Sequence, residues 1–244
     1  MDHQRKPLIS VVTVCYNAVN EIEKTMLSVL SQTYDNIEYI VIDGGSKDGT
    51  VDIVKKYEHR LAYWVSEPDG GIFLAMNKSL NHVTGNWVIF MNAGDSLVDN
   101  HVIENSFEKE YDDQVGVVFG TTMTVKGEMR MLPFIYSNKK YRPMGICHQS
   151  LFVRTELAKD MKFDLSYKVA ADYNMIMQIY KKAYCFIDLK MPVSMFDLTG
   201  YSAQNSEAQM EEVAKICGAT TSFGYKRSLF VHKIKKSIKS LICK

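Results

Sequence analysis

The chain enters on LISVVTVCY at 8–16, a run so continuously apolar and β-branched that it reads as a strand buried on both faces. Ile22, Met26, Val29 and Leu30 then recur at helical spacing, behind Asn20 as the expected N-cap and an acid near N3, with the helix ending near Tyr34. The alternation continues with strand IEYIVID (37–43), a glycine-rich turn GGSKDG (44–49) and a short helix TVDIVKKY (50–57) capped by Thr50. Strand LAYWVSE, a helix over 71–82 and strand NWVIFMN (86–92) complete it. Strands alternating with helices call for a parallel sheet with right-handed crossovers.

Past Asp95 the pattern changes. A helix is expected near 100–110, and VGVVFGTTMTVKGEMRMLPF reads as two strands turning at Lys126-Gly127. Strand 148–154, helix 172–182 and strands near 184–188 and 193–198 follow. No Pro/Gly/Ser-rich linker or internal repeat divides the chain, so residues 1–225 read as one α/β domain, with 1–97 and 98–225 as its halves.

Composition narrows the classes. The 244 residues are 46% hydrophobic and 23% charged, which suits a soluble globular protein, and a net charge of +1 argues against a nucleic-acid partner. The charge is unevenly spread: seven basic residues and no acid follow Gly224-Tyr225, leaving 22 basic against 28 acidic residues before them. Wound as a helix, 226–244 gathers Phe230, Val231, Ile234, Ile238, Leu241 and Ile242 into an arc of about 120°, with Lys233, Lys235, Lys236 and Lys239 outside it. Such a basic amphipathic helix suits an anionic membrane surface; packing on the domain, or on a second copy of the chain as a homodimer, is the alternative. Five widely spaced cysteines with no Cys-x-x-Cys pair fit a reducing compartment, and no stretch approaches 18 apolar residues. The start, MDHQRKP, carries no signal-peptide pattern, so the expectation is a cytoplasmic protein with peripheral contact at the inner face of the plasma membrane.

The glycine-rich turn lacks the G-K-[ST] of a phosphate loop and the G-x-G-x-x-G of a dinucleotide fold. What stands out is a set of acids placed where strands end: Asp43, then Glu67 and Asp69, then Asp95. In open parallel sheets ligands bind beyond the carboxyl ends of the strands, so these acids should share a crevice. An acidic crevice repels a bare phosphate but accepts a divalent cation, Mn²⁺ or Mg²⁺, that carries a diphosphate. Each acid has a plainer reading beside this one: Asp43 as a turn former, Asp95 as a loop or capping residue.

With those residues in view, ISVVTVCYNA (9–18), VIDGGSKDGT (41–50), SEPDGGIFLAMNKSL (66–80) and GNWVIFMNAGDSL (85–97) together resemble the donor-binding half of the family 2 glycosyltransferases, which have the GT-A fold. The resemblance runs over roughly 8–200. It implies that Tyr16 and Asn17 line a nucleotide pocket, that Asp43 hydrogen-bonds the base, and that Asp69 contacts the donor. Thr13, Asn77, Asn92, Ala93 and Gly94 complete the implied donor surface. FMNAGD occupies the place of the D-x-D-type metal motif, with Asn92 and Gly94 where acids are often found, so Asp95 is the implied ligand of the divalent cation. Met76 stands where many relatives carry Arg before Asn77.

For the second half the resemblance implies a catalytic base at Asp172, in AADY, where Ala171 replaces the first acid of a Glu-Asp pair; a helix-terminal acid is the structural alternative. His148 and Gln149 are candidates to reach acceptor or diphosphate, and 199–206 resembles a loop that covers the diphosphate in relatives. The expected activity is an inverting, metal-dependent transfer of a sugar, from a nucleotide sugar such as a UDP-sugar, to a hydroxyl of a glycan or lipid-linked glycan precursor. The competing classes are a nucleotidyltransferase, which would carry a basic glycine-rich loop after the first strand where this chain has CYNAVNE, and a binding relative without a base.

Overall fold

The computed structural model describes residues 6–124, 129–130, 147–196 and 205–242. In the first half β1 (Ile9–Cys15), α1 (Ile22–Leu30), β2 (Ile37–Asp43), α2 (Thr50–Lys56), β3 (Tyr63–Ser66), α3 (Ile72–Ser79) and β4 (Trp87–Phe90) alternate as the periodicity predicts. β3, β2, β1 and β4 lie side by side and parallel. Every residue of β1 is buried because the strand has helices on both faces. Ile9, Val11 and Cys15 meet Ile22, Met26 and Val29 of α1 on one face. Val12 and Val14 meet Phe73 and Met76 of α3 on the other.

Then follow β5 (Ser96–Leu97), α4 (Val102–Ser106), β6 (Val115–Thr124), β7 (Met129–Arg130), β8 (Leu151–Arg154), α5 (Thr155–Met161), α6 (Ala171–Lys181), β9 (Cys185–Phe196), α7 (Ser206–Ile216) and α8 (Phe223–Ile242). One sheet runs on through this half in the order β3-β2-β1-β4-β8-β6-β9-β5, with β7 on β6. The direction switches at β8, which is antiparallel to both β4 and β6, while β6 and β9 are parallel. The fold is therefore a mixed sheet, parallel through the donor-side half and flanked by helices.

Several local expectations change. Neither Asn20 nor Thr50 caps its helix: Glu21 holds the N-cap position of α1 with no side-chain bond, and the Asp48 carboxylate accepts the Thr50 N–H ahead of α2. Residues 148–150 form a 3₁₀ turn rather than the start of β8, since the Ser150 N–H returns to the Cys147 carbonyl. The two strands expected near 184–188 and 193–198 are one, β9, kinked where Lys190 takes φ 56° and the register against β6 shifts. Gly120 marks that shift, because a Cβ there would sit 2.5 Å from the Met191 carbonyl oxygen. The periodicity predicts neither α5 nor α7, and the turn expected at Lys126-Gly127 and the loop 199–204 lie outside the described residues.

α6 is buried on two sides. Met175, Ile176 and Ile179 pack toward the sheet with α5, while Ala170, Tyr173 and Met177 pack on Val213, Ala214 and Ile216 of α7. Tyr225 at the start of α8 joins this second cluster.

Candidate functional site

The strand-end acids of the first half do different work. Asp43 is wholly buried, and its carboxylate accepts from Gly45 N–H, Ser46 N–H, the Ser46 and Ser66 hydroxyls and the Cys15 thiol. Burial alone would raise its pKa, but these donors outweigh it and hold the carboxyl below its ordinary value. With these five donors, Asp43 shapes the glycine-rich turn. A group with a depressed native pKa contributes stability above its unfolded pKa, about 3.9, and that contribution is lost as pH falls through the native value. Asp43→Asn should therefore cost about 2–3 kcal/mol at pH 7 in urea melts, and less at a pH below about 3.9. An equal cost at both pH values would refute the charged role.

The turn positions its neighbours. Asn17, at φ 47°, donates its N–H to the Ser46 hydroxyl and accepts from Lys47 N–H. Its side-chain amide is thereby engaged in tying the first loop to the second. Tyr16 is left projecting and 64% exposed. At Gly44 a Cβ would lie 2.9 Å from Asp69 Oδ2 and 3.3 Å from the Tyr16 ring, so Tyr16 and Asp69 converge over a bare stretch of backbone. There the two form a pair, an aromatic ring beside a carboxylate, on the Gly44 backbone. Glu67 is outside this pair, ion-paired with Lys78.

Two further residues of the expected donor surface have partners within the protein. Thr13 is fully buried and bonds the Met91 carbonyl at 2.8 Å and the Tyr39 hydroxyl at 2.9 Å, beneath the site floor. The Asn77 amide is spent on Phe163, giving to its carbonyl and taking from its N–H, each at 2.8 Å. Met76 beside it is buried in the core.

The loop after β4 is clasped from α1. The Thr25 hydroxyl donates to the Asp95 carbonyl at 2.6 Å and accepts the Gly94 N–H at 3.1 Å, while Ala93 N–H bonds the Val14 carbonyl. Gly94 takes φ 102°, a conformation that favours glycine, which accounts for the missing second acid. Asn92 and Asp95 are both buried at this turn.

From the other half, His148 and Asp172 reach the same place. Asn92 Nδ2 lies 3.0 Å from His148 Nε2, and His148 Nδ1 lies 3.0 Å from Asp172 Oδ2. Asp172 Oδ1 accepts the Tyr173 N–H at 2.7 Å. Burial pulls the imidazole pKa down, but the Asp172 hydrogen bond and the charges of Asp172 and Asp95 outweigh it, leaving His148 above its ordinary value. Its neighbour Gln149 is buried, with Nε2 unpartnered, as is Asn92 Oδ1. No spacing rule links Asn92, His148 and Asp172 in the sequence; the antiparallel entry of β8 beside β4 brings them together.

Among the described residues no group of three or more His, Cys, Asp or Glu side chains could hold a metal ion unaided. The donor set at the β4 loop is one carboxylate, Asp95, beside the unpaired oxygen of Asn92. Hard oxygen donors few in number suit a cation that keeps waters and takes its remaining ligands from substrate phosphates.

A mixed sheet, parallel through its first half, with Asn92, His148 and Asp172 meeting beyond the end of β4, has the architecture of the GT-A glycosyltransferases. The chain belongs to the family described as glycosyl transferase family 2, whose sequence profile matches residues 10–160. An uncharacterized glycosyltransferase of Mycobacterium tuberculosis is 34% identical over 179 residues, covering 70% of this chain and 68% of the relative. Glycosyltransferase GlyA of Streptococcus pneumoniae is 25% identical over 231 residues, 93% of this chain but 31% of its own length. In three dimensions S. aureus TarS 1–349 in complex with UDP-GlcNAc superposes with a TM-score of 0.69 at 20% identity, over 86% of this chain and 66% of that one. The Pyrobaculum calidifontis mannosyltransferase in complex with GDP-Man and Mn²⁺ does so with 0.67 at 21% identity, over 87% and 63%. The chain thus spans about two thirds of the length of these solved structures.

Proposed function

We propose that the protein transfers a sugar from a UDP-sugar to a hydroxyl, with inversion, using Asp172 as general base and a divalent cation at the diphosphate. The observation that carries this is the chain Asn92–His148–Asp172, which sets a carboxylate of the second half one imidazole away from the loop that bears Asp95. Tyr16 and Asp69 flank the nucleotide, and Asn17 and Asp43 hold the loops beneath it. Asp95, with Asn92 beside it, would hold the cation, whose chemistry when bound is to neutralise the leaving diphosphate. Solved relatives in complex with UDP-GlcNAc or with Mn²⁺ support both choices.

Asp172 is equipped for proton abstraction. Among the described residues each carboxylate oxygen accepts one hydrogen bond, and with two lone pairs each retains one for an acceptor hydroxyl. A single base and a single displacement give inversion at the anomeric carbon, since no covalent relay intervenes. Incubation with a panel of nucleotide sugars and Mn²⁺, scored for nucleoside diphosphate release, tests the reading. Binding without release would leave a nucleotide-sugar-binding relative, and conversion of the nucleotide sugar with added pyrophosphate to nucleoside triphosphate and sugar 1-phosphate would mark a nucleotidyltransferase.

The acceptor is proposed to be lipid-linked, reached from the inner face of the plasma membrane through α8. Among the described residues no helix is long and apolar enough to cross a membrane. α8 instead leaves Phe223, Phe230, Val231 and Ile234 exposed, close to Lys226, Arg227 and Lys233, and packs the Tyr225 side on α7. Lys233 pairs with Glu207 of α7 at 3.3 Å, so the helix is tethered with its apolar stripe outward. In an anionic surface each nearby basic residue adds roughly 1 kcal/mol of attraction to the apolar burial. Deleting residues 226–244 should move the protein from phosphatidylglycerol vesicles to the supernatant at low salt while donor hydrolysis in solution persists. Full-length protein that stays in the supernatant, or a truncated form that unfolds or loses a subunit partner, would remove the membrane reading.

A further inference from the structure

The segment that presents Asp172 is held by a residue that sequence spacing does not connect to it. Just before α6, the N–H groups of Lys168, Val169 and Ala170 all point at one carboxylate, that of Glu212 on α7. Oε1 accepts from Lys168 at 2.8 Å, and Oε2 accepts from Val169 at 2.9 Å and from Ala170 at 2.8 Å. Three successive amides on one anion are charge-assisted bonds, stronger than neutral ones. They also place a negative charge at the positive end of an eleven-residue helix. Behind the clamp Val213, Ala214 and Ile216 pack on Ala170, Tyr173 and Met177, and the Tyr173 hydroxyl lies 3.3 Å from Cys217 Sγ. Ala170 is two residues before Asp172, and its carbonyl accepts the Asn174 N–H in the first turn.

We propose that Glu212 is a positioning residue for the reaction, fixing the α6 entry so that the Asp172 carboxylate stays in line with both His148 and the acceptor hydroxyl. This rests on the reading of Asp172 as base. The clamp acts on one end of the site: among the described residues, the hydrogen bonds described for the Tyr16–Asp69 pair on Gly44 and for the backbone of the Asp95 loop run to residues of the first half. Loss of the clamp should therefore slow chemistry and spare donor binding. A displacement of the base by about 1 Å is enough to cost one to two orders of magnitude in rate.

The test compares full-length wild type, Glu212→Gln and Asp172→Asn by three measurements. These are UDP affinity with Mn²⁺ by calorimetry, kcat and KM for the nucleotide sugar that wild type turns over, and the ¹H–¹⁵N spectrum of the histidine rings, with His148 assigned from His148→Gln. Glu212→Gln should lower kcat about tenfold or more, leave donor KM and UDP affinity within about twofold, and shift the His148 Nδ1–H resonance as its bond to Asp172 is disturbed. If Glu212→Gln does not fold, Glu212→Asp, which keeps the charge on a shorter arm, should show the same loss in kcat alone. A slow Asp172→Asn beside a Glu212 variant with wild-type kcat and an unmoved His148 signal leaves the base and rejects the positioning role. Wild-type turnover by Asp172→Asn removes the base, and the inference with it.

Discussion

Asp172→Asn should cut turnover by about 10²-fold or more while leaving UDP binding intact, on the scale set by loss of a positioned general base. Asparagine keeps the shape and an oxygen that can still accept the Tyr173 N–H or the His148 Nδ1–H, so the helix start survives. What disappears is the charge able to take the acceptor proton. The two roles open to this residue then separate by measurement. A carboxylate that merely complements the α6 dipole would, on neutralisation, cost a few tenths to about 1 kcal/mol in a thermal melt and leave kcat unchanged. A base costs rate at constant donor affinity. Equal losses of binding and rate, or a collapse in stability, would assign Asp172 to the architecture instead.

The donor half was legible in the sequence because its burial is two-sided. A fully apolar β1 and the IEYIVID run of β2 admit few other placements, and β2 spans Ile37–Asp43 as the run predicts. Strand-end position also marked loops that the structure brings together, the Asn17 loop on Ser46 and the Tyr16–Asp69 pair over Gly44. It did not separate residues that face the crevice from those that support it, since both are polar and both follow a strand. Asp69 meets Tyr16 over the Gly44 backbone, whereas Asp43 is consumed by five donors below it and Thr13 by two partners.

The second half was harder for a physical reason. Its contacts depend on β8 entering antiparallel beside β4 and on β9 carrying a kink, neither of which leaves a periodic signature. α7, in which Val213, Ala214 and Ile216 are buried among charged neighbours, shows little apolar pattern until α6 is placed against it. Glu212 therefore had no signal at all. His148 did, as a polar residue ahead of an apolar strand, but its link to both Asn92 and Asp172 is a product of topology.

Asp95→Ala should abolish Mn²⁺-dependent binding of UDP, weakening it by about 100-fold or more, beyond what loss of a supporting residue costs. The expectation follows from how few ligands the loop supplies. Asp95 is the only carboxylate in the Asn92–Asp95 turn, and Gly94, at φ 102°, stands where a second acid would be strained. The backbone of the turn is held independently of that carboxylate, through the Thr25 hydroxyl, the Val14 carbonyl and the Asn92 carbonyl, so alanine removes the ligand and keeps the loop. UDP measured without the metal should bind both proteins alike, through Tyr16 and Asp69, and that comparison isolates the cation from the nucleotide. The mutation also removes one of the two negative charges acting on His148, so the imidazole pKa should fall toward its ordinary value while its bond to Asp172 persists. A mutant that binds Mn²⁺ and UDP as wild type does would make Asp95 a structural residue of the turn and move the metal assignment elsewhere.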